Sequence, residues 1–151
     1  MEFLDFKAFQ CIEGESLSPT AWLKVTQEMI NHFAKATHDF QWIHVDAERA
    51  KEESPLKKTI AHGFLSLALI PKFLTDAIQV KSLKMGYNFG LEHVRFPHAV
   101  AVDSYVRGCI TVVKIIPQKF NGLKIIWDVI IEIKGVKKPA CSAKIITLAY
   151  E

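Results

Sequence analysis

Cysteine is scarce in this chain: three of the 151 residues, at positions 11, 109 and 141, are cysteines, and they stand far apart. This spacing argues against a disulfide framework and against a zinc cluster, so we expect reduced thiols in a cytoplasmic protein. A block of basic residues is also missing, and the net charge is only +3. We therefore expect no nucleic-acid partner.

Long hydrophobic runs are absent as well. The two most apolar stretches are residues 64–70, which Pro71 ends, and residues 123–133, which three charged residues interrupt. Neither approaches the roughly 20 apolar residues that a membrane-spanning helix needs. The first residues include acids and lack a basic segment followed by an apolar one, so we expect no signal peptide and no membrane partner.

Half of the residues are hydrophobic and 23% are charged. This balance is typical of one globular domain with a sizeable core. No internal repeat, low-complexity tract or linker divides the sequence. We therefore expect residues 1–151 to form a single domain.

The first half of the chain predicts helices. Thr26 and Asp46 are good N-caps for two of them, and Ser54-Pro55 ends the second. A third should begin near Gly63. Every residue from 64 to 70 except a serine is apolar, which predicts a helix buried on nearly all sides. Pro71 either kinks this helix or restarts it.

The second half predicts strands. Apolar residues alternate with others from 83 to 91, and a change of phase near Glu92 and His93 predicts a bulge. Further strands are predicted at 105–116, 123–133 and 140–149, with turns at 117–122 and 135–139. Long consecutive strands joined by short turns indicate an antiparallel sheet. The fold class is therefore α+β, with the sheet wrapped around the helix that starts at Gly63.

Asp39 and His44 stand five residues apart in an aromatic and apolar setting. A carboxylate and an imidazole can share one water and move its protons. On a helix they would lie about 140° apart, and on a strand they would face opposite ways. Only an irregular loop that folds back brings them together. The alternative is that Asp39 is an ordinary loop residue and His44 a satisfied, partly buried histidine.

The pair His62-Gly63 also has two interpretations. In one, it is a tight junction into a helix, where only glycine fits. In the other, glycine lets a ligand approach the free N–H groups that open the helix. Those groups can stabilise a carbonyl oxygen as it gains negative charge.

Residues 39–46, together with Ile60-Ala61-His62-Gly63, resemble the MaoC-like dehydratase family, whose best-understood members are (R)-specific enoyl-CoA hydratases with the hot-dog fold. The family motif is aspartate, any residue, asparagine, proline, an aliphatic residue and histidine, followed later by histidine-glycine. This chain keeps Asp39, Ile43, His44 and His62-Gly63. Gln41 and Trp42 replace the asparagine and the proline, a form that resembles the branch containing nodulation protein N.

The resemblance implies a mechanism. Asp39 and His44 would hold a water that adds to a trans-2-enoyl thioester of CoA or acyl carrier protein. The N–H of Gly63 would stabilise the enolate oxygen, and His62 and Gln41 would help to bind or orient the reactants. The resemblance implies no metal and no cofactor. It also implies a homodimer, with the thioester arm lying between subunits.

Two other functions remain open at this point. A hot-dog thioesterase would use Asp39 to activate water against the thioester carbonyl instead of the alkene. A non-catalytic acyl-thioester binding protein would keep the site without the reaction, and the changes at Gln41 and Trp42 leave that alternative open.

Overall fold

A five-stranded antiparallel sheet curls around a short central helix in the computed structural model, which describes residues 1–151. The helices precede the long strands. In chain order the elements are β1 (Glu2–Phe3), α1 (Phe6–Gln10), β2 (Leu23–Lys24), α2 (Gln27–Thr37), α3 (Trp42–Val45), α4 (Ala47–Glu53), α5 (Gly63–Ala68), α6 (Ile70–Ala77), β3 (Gln79–Val80), β4 (Met85–Arg95), β5 (Tyr105–Gln118), β6 (Gly122–Ile133) and β7 (Cys141–Tyr150). None of these helices is both long and apolar enough to cross a bilayer.

The strand order of the sheet is β2-β5-β6-β7-β4. Strands β5, β6 and β7 follow one another as a meander, but β4 lies at the far edge and pairs with β7, with Met85 opposite Tyr150. β1 and β3 form a separate parallel pair. A curled antiparallel sheet around a central helix is the hot-dog arrangement, so the predicted fold class is confirmed.

The core lies between the concave face of the sheet and the layer formed by α5 and α6. Six alternate residues of β6 are buried, as the period of two predicts: Leu123, Ile125, Trp127, Val129, Ile131 and Ile133. From the helical layer, Leu65, Ile70 and Phe73 pack into the same cluster. The predicted strand interiors are therefore correct, with ends that differ by one to a few residues.

The predicted helix starts are confirmed by their caps. The Thr26 hydroxyl accepts a hydrogen bond from the Met29 N–H at 3.2 Å, and the Asp46 carboxylate accepts one from the Arg49 N–H at 3.0 Å. Pro71 falls in the first turn of α6. It restarts the helix there, because a missing N–H costs little in a first turn.

The composition of the central helix predicts burial on nearly all sides, and this prediction is wrong. Phe64 is 68% exposed and Ala68 is also exposed in the single chain. The reason is that β4 is an edge strand and leaves one side of α5 uncovered. Helix α5 is apolar all round because it has a buried face and also an apolar face that no other part of the chain covers.

Other local predictions need correction. Pro117 lies within β5 opposite Leu123, and the turn falls at residues 119–121, where Phe120 and Asn121 adopt positive φ angles of 59° and 51°. The predicted bulge near Glu92 is present, and a second register shift at Phe89 was not predicted. The short helix α1 was missed because five residues give too little periodicity.

Gly108 sets the distance between the sheet and the helical layer. A Cβ placed on Gly108 would lie 2.9 Å from the Cβ of Phe73, which is fully buried on α6. We expect Gly108→Ala to lower the free energy of unfolding by about 1–3 kcal/mol, because a well-packed core resists added volume. Urea unfolding measures this. Gly86→Ala is the control, since its Cβ would meet Leu148 only at 3.7 Å; an equal loss in both variants would contradict the packing explanation.

Candidate active site

Asp39, His44 and His62 come together at the N-terminal end of the central helix. One side-chain ligand atom from each lies within 4.8 Å of the others. Two hydrogen bonds of about 2.8 Å to one water at a tetrahedral angle would hold their partners about 4.6 Å apart. A separation within 4.8 Å therefore leaves room for a shared water between the acid and an imidazole.

The chain brings Asp39 back towards His44 in two steps. His38, which ends α2, adopts the left-handed conformation with φ of 59° and turns the backbone sharply. The one-turn helix α3 then presents His44 on its buried side. The predicted irregular loop is thus only residues 39–41. A left-handed conformation is unusual for a residue other than glycine, which adopts it without steric cost.

His44 is buried and its tautomer is fixed. Its Nδ1 lies 2.7 Å from the carbonyl oxygen of Ile60. A carbonyl only accepts, so Nδ1 carries the proton and Nε2 carries the lone pair. The bond to Ile60 is the one hydrogen bond of the His44 ring, so Nε2 is free. Burial lowers the pKa of His44, and the nearby His62 lowers it further, although the Ile60 carbonyl and Asp39 act in the opposite direction. His44 is therefore poised as a base.

His62 supports the other two residues from below. Its Nε2–H donates to the backbone carbonyl of Asp39 at 3.0 Å, and the Asp39 carboxylate lies 3.9 Å away. Its ring stacks on His44 with centroids 3.7 Å apart, and the centroid of the Phe33 ring lies 5.0 Å from it. The Nε2 of His62 is engaged, and only 3% of its side chain is exposed. His62 therefore holds Asp39 and His44 in place, and we see no free donor on it for a substrate.

Gly63 opens α5 beside this cluster. Its N–H has no acceptor within the chain. A Cβ at this position would lie 3.0 Å from the ring of Phe96. This close contact supports the tight-junction interpretation, and the free N–H keeps the second interpretation open.

Gln41 is the N-cap of α3, and Trp42 is its first residue. The Gln41 N–H donates to the Asp39 carboxylate at 3.4 Å, whereas its side chain is exposed and makes no capping bond. Trp42 lies under the guanidinium of Arg49, which is 4.4 Å from the ring centroid. These residues shape the turn between Asp39 and His44. The side-chain amide of Gln41 is not part of the cluster of Asp39, His44 and His62.

A metal ion would find the right ligand types here but poor geometry. Asp39, His44 and His62 supply a carboxylate and two imidazoles. The two rings lie in nearly parallel planes, 23° apart. Their lone pairs therefore cannot both point at one ion, as tetrahedral coordination requires. One nitrogen of each ring is also engaged by a backbone carbonyl. The arrangement favours proton transfer.

Two apolar cavities lie beside α5 and α6. One, of about 450 Å³, starts at Phe33 and Phe64 next to the cluster and continues between the helix and Leu91 of β4. The other, of about 320 Å³, lies beneath α1 and does not reach the cluster. Pro71 and Asn88 line both. The first cavity is the one that an apolar substrate tail bound at the cluster would enter.

Comparison with known proteins shows which family the chain belongs to. The family model described as "MaoC like domain" matches residues 8–129, which is most of the chain. This chain belongs to the MaoC-like domain family.

Individual members agree with that assignment. The chain is 42% identical over 131 residues to 3-hydroxyacyl-thioester dehydratase Z of Mycobacterium tuberculosis, covering 87% of this chain and 86% of that protein. It is 39% identical over 136 residues to nodulation protein N of Rhizobium leguminosarum bv. viciae, covering 89% and 84%. The unliganded structure of R-hydratase PhaJ1 from Pseudomonas aeruginosa superposes with a TM-score of 0.70 at 20% identity, covering 92% and 82%. That likeness supports the hot-dog fold.

Three residues around His44 carry no signal in the sequence. Gln27 donates to the His44 carbonyl at 2.8 Å and accepts from the hydroxyl of Thr59 at 2.5 Å. Ile60 acts through its backbone carbonyl, which any residue type supplies. An amide in the first turn of a helix and a threonine in a loop are ordinary in sequence, so only the three-dimensional contacts reveal them.

We expect His44 to be neutral at pH 7, with its proton on Nδ1. Its folded pKa lies below the ordinary 6.5 mainly because burial disfavours the charged ring. As pH falls, the His44 ring is therefore protonated near pH 6.5 in the unfolded chain and only at a lower pH in the folded chain. His44 thus contributes stability above that pH, and the contribution is lost as pH falls through the folded pKa. Titration by ¹⁵N NMR checks both points, and a ring protonated on Nε2, or a pKa above 6.5, would contradict them.

Proposed function

We propose that this protein is a hydratase and dehydratase of acyl thioesters, which adds water to a trans-2-enoyl thioester and catalyses the reverse elimination. One observation carries the proposal: the Asp39 carboxylate and the His44 ring, whose Nε2 is free, lie together beside the helix that Gly63 opens with an unpaired N–H. Relatives named as a 3-hydroxyacyl-thioester dehydratase and an R-hydratase support it.

The chemistry needs a proton to be taken and another to be given. A water held between Asp39 and His44 attacks the β-carbon of the alkene, and the pair takes one of its protons. A proton from the pair reaches the α-carbon, so the elements of water are added and the pair returns to its starting state. A close acid and imidazole titrate together, and we assign the two proton transfers to the pair as a unit.

Negative charge develops on the thioester oxygen during this step. A hydrogen bond from the Gly63 N–H stabilises that charge more than it stabilises the neutral carbonyl, and so lowers the barrier. The acyl tail lies in the apolar cavity that begins at Phe64 and runs along α5. CoA and acyl carrier protein thioesters share the reacting part, and both fit this proposal.

The same proposal includes a homodimer. The unpaired edge of β4 exposes Met85, Tyr87, Phe89 and Leu91 beside the exposed Phe64 of α5. An uncovered apolar edge strand is a template for pairing with another chain. A second copy would cover this surface by joining the two β4 strands and would enclose Asp39, whose side chain is 54% exposed in the single chain.

We further propose that residues 1–151 form one hot-dog domain that works in the cytoplasm. The apolar cores beneath α1 and around α5 are continuous in one cluster. The three cysteines are unpaired. Both observations support this proposal.

Removal of either member of the pair should stop hydration while the fold survives. We expect Asp39→Asn and His44→Ala to lower kcat/KM on a short enoyl-CoA by at least about a hundredfold, the range of lost acid–base catalysis. The assay follows the conjugated double bond and the free thiol together. Loss of the double bond without thiol release supports a hydratase, whereas thiol release would show a thioesterase.

Matched variants make this test specific. Glu48→Gln and His32→Ala remove an exposed acid and an exposed imidazole from neighbouring helices, and we expect them to keep full activity. If the wild-type protein binds enoyl-CoA but neither consumes the double bond nor releases thiol, it is a binding protein and the enzyme proposal is wrong. Full activity in the Asp39 variant would refute the site assignment.

The dimer proposal predicts the mass in solution. We expect light scattering to give twice the mass of the chain, and Phe64→Glu to shift the protein towards monomer, since the charge would be buried against the second copy. Phe120→Glu is the control. Phe120 is even more exposed, at 88%, but lies on the β5–β6 turn, two strands from β4. A monomeric wild-type protein, or equal dissociation of both variants, would refute this interface.

A further inference from the structure

We propose that Gln27 and Thr59 are positioning residues that orient His44 for the reaction. The proposal rests on the hydratase function proposed above and extends it to residues that touch neither the substrate nor the reacting water. Gln27 belongs to the first turn of α2, and Thr59 lies in the segment that leads to α5. Their hydrogen bonds connect α3 to the segment that leads to α5, and these two parts of the chain hold the His44 ring.

The side-chain amide of Gln27 makes three hydrogen bonds. Its nitrogen donates to the backbone carbonyl of His44 at 2.8 Å and to the side-chain oxygen of Asn31 at 2.9 Å. Its oxygen accepts from the hydroxyl of Thr59 at 2.5 Å. Thr59 is 1% exposed, so its hydroxyl is shielded from water and depends on this partner.

The chemistry of this position requires an amide. The His44 carbonyl accepts only, so the group facing it must donate, while the Thr59 hydroxyl is satisfied by an acceptor. A glutamine offers both at the end of one side chain. A glutamate would place a second acceptor against the His44 carbonyl, and a methionine of similar length would satisfy neither partner.

Gln27 thereby joins the two anchors of the catalytic imidazole. One anchor is the backbone of His44 itself, which Gln27 bonds directly. The other is the Ile60 carbonyl, which accepts from His44 Nδ1 and follows Thr59 in the chain. The Ile60 N–H in turn donates to the Ile43 carbonyl at 3.0 Å. The ring is held at its base and at Nδ1, and Gln27 fixes these two points relative to each other.

This arrangement determines where Nε2 points. If the bridge is lost, α3 and the segment before α5 can shift relative to one another, and the lone pair of Nε2 moves away from the shared water. Displacement of a reacting group by about 1 Å can cost a hundredfold in rate. Binding of the acyl tail and the thioester would change little, because neither residue lines the apolar cavity beside α5.

The experiment compares two pairs of variants in the full-length protein. We expect Gln27→Met and Thr59→Val to lower kcat on a short enoyl-CoA by about ten- to a hundredfold while KM stays within about twofold, the pattern of a lost transition-state arrangement. Thr59→Ser keeps the hydroxyl and should retain most of the activity. Asn31→Ala removes only the third partner of Gln27 and should behave as the wild type.

A ¹⁵N spectrum of the His44 ring supplies a readout that does not depend on turnover. In the wild type we expect a single Nδ1-protonated form. In Gln27→Met and Thr59→Val we expect shifts intermediate between the two tautomers, because the Ile60 carbonyl no longer stays opposite Nδ1. Thr59→Val changes one oxygen to a methyl group and is the variant that decides if Gln27→Met fails to fold.

The outcomes separate the possible explanations. A fall in kcat with altered ring resonances supports the positioning role. Unchanged kcat in both folded variants, a rise in KM alone, or an equal fall in Asn31→Ala would overturn it. If the wild type hydrates no enoyl thioester, the proposed function fails, whereas the ring resonances still decide whether Gln27 and Thr59 orient His44.

Discussion

The hydrogen bond from His44 Nδ1–H to the Ile60 carbonyl, 2.7 Å long, is the contact on which the whole site depends. It joins α3 to the segment that leads into α5, two parts of the chain between which α4 intervenes in the sequence. Ile60 is in turn paired with Ala101, in the segment that leads into β5. The orientation of the imidazole is therefore set by backbone groups that are tied to the sheet. Because a backbone carbonyl cannot be removed by substitution, this constraint tolerates wide variation in side chains.

The periodicity of the sequence predicted much of the fold, and its limits have physical reasons. Buried faces with a strict period, such as Leu123 to Ile133, and side-chain caps such as Thr26 are local features that a sequence displays directly. The position of β4 is not local: its partner is β7, and alternation within a strand says nothing about which neighbour it has. For the same reason, Phe64 was expected to be buried and is exposed in the single chain.

The candidate site was recognised from its motif more than from its spacing. A five-residue offset fits no regular element, and the two devices that overcome it, the left-handed His38 and the single helical turn of α3, are invisible to periodicity. Gln41 and Trp42, where the chain departs from the family, lie at the start of that turn. The cation–π contact between Trp42 and Arg49 and the bond from Gln27 hold the turn here.

The edge position of β4 has a consequence for synthesis on the ribosome. The strand is complete at residue 95, but its partner begins at Cys141. For the time it takes to add the intervening residues, roughly two to ten seconds at typical elongation rates, β4 and the apolar side of α5 have nothing within the chain to cover them. Strands β5 and β6 are synthesised before β7, and the sheet can close only when β7 emerges. Nascent chains of this protein are thus exposed to mispairing with one another over this interval, and a chaperone that binds extended apolar segments would find its target at residues 85–95.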